Sequence, residues 1–197
     1  MTSKSSVLDE LSWRGMVYQH TDGLADALAT GEVGVYAGFD PTASSLHVGH
    51  LVPVMGLAHL QRAGHRPVAL VGGGTGMIGD PSGKSAERQL VSEGEVEKNS
   101  RALEEQLRRF LDFTGAKAAR MVDNAAWLRQ LRAVDFMRDV GKHFTINYML
   151  AKDSVQSRIE GGISFTEFSY MLLQAYDFLE LNRRENVSLQ IGGSDQW

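Results

Sequence analysis

Four short runs of apolar and β-branched residues recur along the chain, each separated from the next by segments of helical periodicity. That alternation restricts the fold more than any other feature. GVYAGF (34–39), PVALV (67–71), AARMVD (118–123) and VSLQI (187–191) read as strands. Residues 47–63 carry a helical apolar pattern closed by Gly64, with Pro53 inside it unable to donate to residue 49 and predicting a bend. A charged amphipathic helix is expected over 94–113, several short helices over 124–160, and a strong helix over 165–181. Upstream, Asp22 is placed to cap GLADALATG, with Gly31 as its stop. Strands alternating with helices predict an α/β fold with a parallel sheet. In such sheets ligands gather beyond the carboxyl ends of the strands. Here those ends run into Asp40, a glycine-rich loop, Asp123-Asn124 and Gly192-Gly193-Ser194-Asp195, so polar endings are expected to converge on one edge.

Three constellations carry chemistry. In SLHVGHL, His47 and His50 stand three apart and share a helix face. Zinc would want a third ligand and a wider spacing, and no glutamate follows His47. A packed or surface histidine pair is the plainer reading. An anion cradle fits best: the first turn of a helix offers free N–H groups and a favourable dipole, and Gly49 admits a flat ring against the backbone. Next, Gly74-Thr75-Gly76-Met77-Ile78-Gly79 matches G-x-G-x-x-G, but a turn, Asp80-Pro81-Ser82-Gly83, follows where the dinucleotide fingerprint needs a helix. A P-loop ending at Gly83-Lys84-Ser85 would need glycine at 78, which is isoleucine. A loop carrying Lys84 and Arg88 remains, either simply solvated or supplying mobile cations. Third, Tyr170, Gln174 and Asp177 fall on one face of the 165–181 helix, facing either solvent or a polar pocket.

Composition narrows the classes. The net charge of −4 gives no global basic field for nucleic acid, and the absence of cysteine excludes disulfides, thiol catalysis and cysteine-bound zinc. MTSKSSVLDE has no apolar signal core and no apolar run reaches 18 residues, so a cytoplasmic, non-membrane location is the default. IGGSDQW directly follows a strand-like run, which predicts a fragment of a longer protein.

YAGFDPTASSLHVGH, GDPSGKSAER, YMLLQAYD and GGSDQW, taken in this order, resemble the class I aminoacyl-tRNA synthetases, and specifically the bacterial-type tyrosyl-tRNA synthetases, with HVGH similar to the HIGH signature. The resemblance implies a Rossmann-type parallel sheet with a HIGH-type nucleotide-binding helix and a helical insertion. It implies that Tyr36 and Asp177 grip the phenolic hydroxyl of tyrosine and that Asp80, Tyr170 and Gln174 bind its ammonium. Asp40 and Gln196 would line the way to the α-phosphate, while Thr42 and His47 would hold the γ-phosphate and His50 the nucleotide. Gly49 would face the adenosine and Asp195 its ribose, with Gly38 and Gly192 also on the nucleotide, and Lys84 and Arg88 would close over pyrophosphate. The substrates implied are L-tyrosine and ATP, with Mg²⁺ on the ATP phosphates and no metal held by the protein itself.

On the same resemblance, residues 1–197 form an incomplete catalytic domain, with a dimerising insertion at about residues 125–165. The family's KMSKS-like lysine loop, anticodon-binding and C-terminal RNA-binding parts are lacking, so the chain alone is expected to bind tRNA(Tyr) poorly and to activate tyrosine feebly or not at all. A small-molecule nucleotidyltransferase of the same H-x-G-H kind, an NAD-dependent oxidoreductase built on the 74–79 glycines, and an inactive module binding RNA or a partner are the rival readings.

Overall fold

The computed structural model describes residues 6–80 and 91–196. Its strands are β1 (Gly34–Phe39), β2 (Arg66–Val71), β3 (Arg120–Asp123) and β4 (Val187–Gln190), all parallel and in the order β3-β2-β1-β4. The chain moves outward from β1 through β2 to β3, then returns to the other side of β1. That reversal between β1 and β4 is the topological switch point at which α/β sheets bind ligands.

Register decides what stands there. Phe39 pairs with Val71, and Val71 with Asp123, so three strands end in one row. The pairing runs one residue further, since the Gly72 N–H donates to the Phe39 carbonyl (3.0 Å) and the Asn124 N–H to that of Val71 (3.1 Å). Asp40, Gly72 and Asn124 therefore open the next row, as the strand endings predict.

The helices are α1 (Val7–Trp13), α2 (Leu24–Thr30), α3 (Val48–Arg62), α4 (Glu93–Leu107), α5 (Ala125–Leu128), α6 (Ala133–Asp139), α7 (Ile146–Leu150), α8 (Asp153–Ile159) and α9 (Phe165–Glu185). The period of two along the strands sorts the core into two layers. Val35, Ala37, Phe39 and Ala69 face Val54, Leu57 and Leu60 of α3 and Leu103 and Leu107 of α4. Tyr36, Val68 and Leu70 face Trp127 and Leu181 on the other side. Fully burying a leucine such as Leu57 contributes about 1.5–3 kcal/mol, so these two layers fix the sheet on which the site stands. No helix among the described residues is long and apolar enough to cross a membrane.

Several boundaries differ from the sequence expectation, each for a local reason. α1 carries a capping box, Ser6 with Asp9, that hydrophobic periodicity does not reveal. α2 starts from Gly23 in the left-handed region (φ 81°), not from a cap at Asp22. α4 stops at Leu107, short of 113, because Gln61 captures the backbone beyond it: its amide donates to the carbonyls of Asp112 (2.6 Å) and Lys117 (2.9 Å) and accepts from the Asp112 N–H (3.0 Å). α9 runs to Glu185 through the polar turn Asn182–Glu185, ending on Asn186 at φ 53°. α3, by contrast, keeps to the expected span, running from Val48 to Arg62 with Pro53 inside it.

Candidate active site

The glycine loop is held by side chains from its neighbours. Thr75 Oγ1 donates to Asp40 Oδ1 (2.7 Å), and the Gly73 N–H donates to Asp123 Oδ1 (3.1 Å). Asn124 Oδ1 accepts from the Gly74 N–H at 2.7 Å. The loop then makes a single 3-10 turn at Thr75–Met77, and no α-helix starts there as a dinucleotide site would need. Its glycines permit close approach of carboxylates: a Cβ on Gly72 would lie 1.9 Å from Asp40 Oδ1, and one on Gly73 2.3 Å from Asp123 Oδ1. Gly73→Ala is expected to lower stability by about 1–3 kcal/mol, the usual cost of overpacking, because Asp123 is also held by the Ala125 N–H at 2.8 Å. A urea titration that left the midpoint unchanged would contradict this.

The α9 stripe faces inward. Tyr170 is 8% exposed and Asp177 2%, which removes the solvent-face reading. Tyr170 donates its hydroxyl to Asp40 Oδ2 (2.8 Å). Gln174 Nε2 donates to Gln196 Oε1 (3.0 Å), and Gln196 Nε2 to Asp80 Oδ2 (3.1 Å). Asp177 accepts from Asn124 Nδ2 (2.8 Å) on one oxygen and from Trp127 Nε1 (2.7 Å) on the other. Asp40, Asp80, Tyr170, Gln174, Asp177 and Gln196 thus belong to one polar assembly. Asn124, Trp127 and Thr75 also belong to it, and no motif marked them as site residues.

Tyr36, on β1, is 2% exposed, and its buried hydroxyl has no hydrogen-bond partner among the described residues. Burial, with the Asp177 charge nearby, drives its pKa far up, so it stays a neutral donor. Burial also pushes the Asp177 carboxyl up to about 7, against the lowering effect of Asn124 and Trp127 and with further elevation from Asp40 and Asp123. Tyr170 is raised as well, by burial first and then by Asp40 and Asp80. Opposing influences therefore meet at Asp177. Its oxygens accept two bonds, and a carboxylate has about four lone-pair sites, so it keeps capacity for a donor from outside. Beside this assembly lies a cavity of about 620 Å³ lined in part by Asp80, Tyr170, Gln174, Phe178 and Gln196, with Tyr36 and Asp177 beyond its lining.

The histidines stand at the start of α3, reached from β1 by the loop carrying Asp40 and the exposed Thr42. His47 is the N-cap: its Nδ1 accepts from the Gly49 N–H (3.1 Å), while His50 Nδ1 accepts from the His47 N–H (3.2 Å). The rings stack at 3.7 Å between centroids, and His50 meets Phe39 edge-on. A Cβ on Gly49 would lie 3.0 Å from His47 Cε1, so the glycine does admit the ring. The backbone N–H groups of His47 and Gly49 are spent on imidazoles and are not free for an anion, as the sequence reading had them. Because each Nδ1 accepts from a backbone N–H, a neutral ring at either position carries its proton on Nε2.

Of the remaining candidates, Gly38 lies on β1 with open space where a Cβ would be, and Gly192 follows β4, its Cβ position 3.4 Å from Gln196. Asp195 belongs to the turn Ser194–Gln196. Lys84 and Arg88 lie outside the described residues. No cluster of three His, Asp or Glu able to hold a metal occurs among the described residues.

A parallel sheet with its switch point between β1 and β4 thus carries, at one edge, a helix opening on paired imidazoles and a buried polar assembly around Asp177, the frame of a Rossmann-type domain. The family model for class I tRNA synthetases (W and Y) matches residues 28–197, and the chain belongs to that family. It is 59% identical over 196 residues to the tyrosine–tRNA ligase of Roseiflexus castenholzii, covering 98% of this chain and 46% of that protein. The tyrosine–tRNA ligase of Staphylococcus carnosus is 54% identical over 195 residues, again covering 98% of this chain and 46% of the relative. The chain thus spans about half the length of the curated relatives it matches. Among solved structures, a C-terminally truncated mitochondrial tyrosyl-tRNA synthetase of Aspergillus nidulans superposes with a TM-score of 0.86 at 32% identity, covering 98% of this chain and 58% of that one. An Archaeoglobus fulgidus tyrosyl-tRNA synthetase shares the fold, with a TM-score of 0.68 at 21% identity over 88% of this chain and 50% of that one.

Proposed function

We propose that this chain is the tyrosine- and ATP-binding part of a cytoplasmic tyrosine–tRNA ligase. The observation that carries the reading is the pair Tyr36 and Asp177: a buried hydroxyl without a partner beside a buried carboxylate with unused lone pairs. Together they suit a phenol, which donates to Asp177 and accepts from Tyr36. In this structure the cavity ends at Tyr170, Gln174 and Phe178, so admission of the ring calls for side-chain movement there.

The ammonium of tyrosine meets Asp80, Tyr170 and Gln174, and its carboxylate is directed past Asp40 and Gln196. One carboxylate oxygen then attacks the α-phosphorus of ATP. A new P–O bond forms, the bond from the α-phosphorus to the bridging oxygen breaks, and the electron pair leaves on pyrophosphate. The protein supplies position and charge stabilisation, not a nucleophile. The Nε2–H donors of His47 and His50, with Thr42, serve the phosphates and nucleotide. Gly38, Gly49, Gly192 and Asp195 face the nucleoside, and Lys84 and Arg88 follow the departing pyrophosphate. Mg²⁺ travels on the ATP phosphates. Transfer to the 3′ end of tRNA(Tyr) follows in the whole protein. The segment of about residues 125–165 is the helical insertion and homodimer face, supported by the exposure of Val134, Ile146 and Phe165.

Equilibrium dialysis with this chain tests the pocket, and exchange of labelled pyrophosphate into ATP, with the polypeptide carried on to the length of its relatives, tests the reaction. Tyrosine is expected to bind and to support exchange, phenylalanine to bind far more weakly and to support no measurable exchange. Equal exchange with both amino acids, or binding of NAD in place of tyrosine, overturns the reading.

A further inference from the structure

α9 places Asp177, Glu180 and Arg184 at spacings of three and four, on one side of the helix. Trp127 of α5 lies along that side. Its Nε1 donates to Asp177 Oδ1 (2.7 Å), while the Arg184 guanidinium carbon stands 5.5 Å from the centroid of its ring. Arg184 is itself pinned: its Nε donates to Glu180 Oε2 (2.7 Å), and Glu180 is held from the other side by Arg183 Nη1 (3.2 Å). Glu180 is buried, Trp127 is 3% exposed, and Arg184 is half-exposed, so the guanidinium forms the outer lid of the indole.

An indole hydrogen-bonded at one end still pivots unless its face is covered. A cation over the face both covers it and draws electron density from the ring, which strengthens the N–H as a donor. We propose that Arg184, anchored by Glu180, is a positioning residue for recognition of the phenolic hydroxyl: it clamps Trp127 so that the indole N–H holds the Asp177 carboxylate in place. The proposal rests on the tyrosine-binding reading and extends it to a side chain that does not touch the substrate.

Arg184→Gln keeps a flat polar group but removes the charge, and the half-exposed position tolerates it. It is expected to weaken tyrosine binding about two- to five-fold, the scale of a partly exposed cation–π contact, and to leave phenylalanine binding unchanged. Arg184→Lys, which keeps a cation, recovers part of the loss. In a Trp127→Phe background the Arg184→Gln change has no further effect. Equal weakening for both amino acids, or simple addition of the two substitutions, overturns the clamp.

A ligand-free readout separates this idea from the functional reading. The Trp127 indole proton, assigned by its disappearance in Trp127→Phe, reports the bond to Asp177 by NMR. Its pH midpoint follows Asp177, which is surrounded by Tyr36 and Asp40 on the β1 side, Asp123 and Asn124 after β3, and Tyr170 on α9. Arg184→Gln is expected to shift the resonance and raise the midpoint, because the Trp127 bond lowers the Asp177 pKa. An unmoved resonance and midpoint overturn the clamp even where the chain binds neither amino acid, which would instead be the failure of the functional reading.

Discussion

Asp177→Ala is expected to abolish the preference for tyrosine over phenylalanine that the proposed function assigns to this site. The carboxylate is 2% exposed and is held by two donors, Asn124 and Trp127, at 2.8 and 2.7 Å. Alanine removes the acceptor proposed for the substrate hydroxyl and leaves those two donors unpaired. A site built to hydrogen-bond a hydroxyl rejects the analogue lacking it by about 10⁴–10⁵, and tyrosyl-tRNA synthetases are themselves the standing example of that rule. The figure is therefore the class's own and was not obtained from this chain. Dissociation constants for the two amino acids, measured by calorimetry, are expected to come within about tenfold of each other in the variant, since the remaining apolar contacts are shared. Retention of a thousand-fold preference would remove Asp177 from the recognition of the hydroxyl.

The same residue gives the site a pH dependence. Burial places its pKa at about 7, far above the 3.8 of an exposed aspartate. A raised carboxylate contributes relative stability that is fully present below the unfolded value and is lost as pH rises through the folded one. Asp177→Asn removes this dependence. The stability of the variant relative to the parent is expected to improve between pH 4 and pH 8, by on the order of 4 kcal/mol at 1.36 kcal/mol per unit. On the proposed function tyrosine binding is expected to run the opposite way: the ionised form accepts the substrate hydroxyl, so affinity rises with pH through about 7, while phenylalanine affinity stays flat. Urea midpoints and binding constants at paired pH values check both slopes.

What the sequence made legible was local. Tyr170, Gln174 and Asp177 share a face because helical period fixes their spacing, and the strand endings align because parallel strands with one register must end together. The pocket side of that stripe was not decidable from spacing alone. It follows from what packs against α9, and Asn124 and Trp127 lie 53 and 50 residues from Asp177. No short-range rule reaches that far. At His47 the residue type suggested an anion cradle, but which nitrogen donates depended on cap geometry, where an imidazole takes the place usually held by serine or aspartate.

Asn124 is where that long-range information concentrates, and its removal is expected to cost more stability than any other single polar substitution in the site. It is 0% exposed. Its Oδ1 accepts from the Gly74 N–H at 2.7 Å and more weakly from the Thr75 N–H at 3.4 Å. Its Nδ2 donates to Thr75 Oγ1 at 2.9 Å and to Asp177 Oδ2 at 2.8 Å. One amide therefore joins the end of β3, the glycine loop after β2 and the middle of α9. Asn124→Ala leaves buried donors and an acceptor without partners, at about 1–3 kcal/mol each and more for a charged group. Even with relaxation the expected loss is about 3–5 kcal/mol, in the range seen when buried networks are broken. Asn124→Asp separates the two halves of that amide. It keeps the acceptor toward the loop, yet it turns a donor facing Asp177 into a second carboxylate oxygen. Near pH 5, where one of the pair holds a proton, Asn124→Asp is expected to approach the parent; by pH 8 like charges oppose each other and its stability falls toward that of the alanine variant. Chemical denaturation of both variants across this range reads the effect directly, and an Asn124→Asp stability independent of pH would show that the side chain does not couple to Asp177.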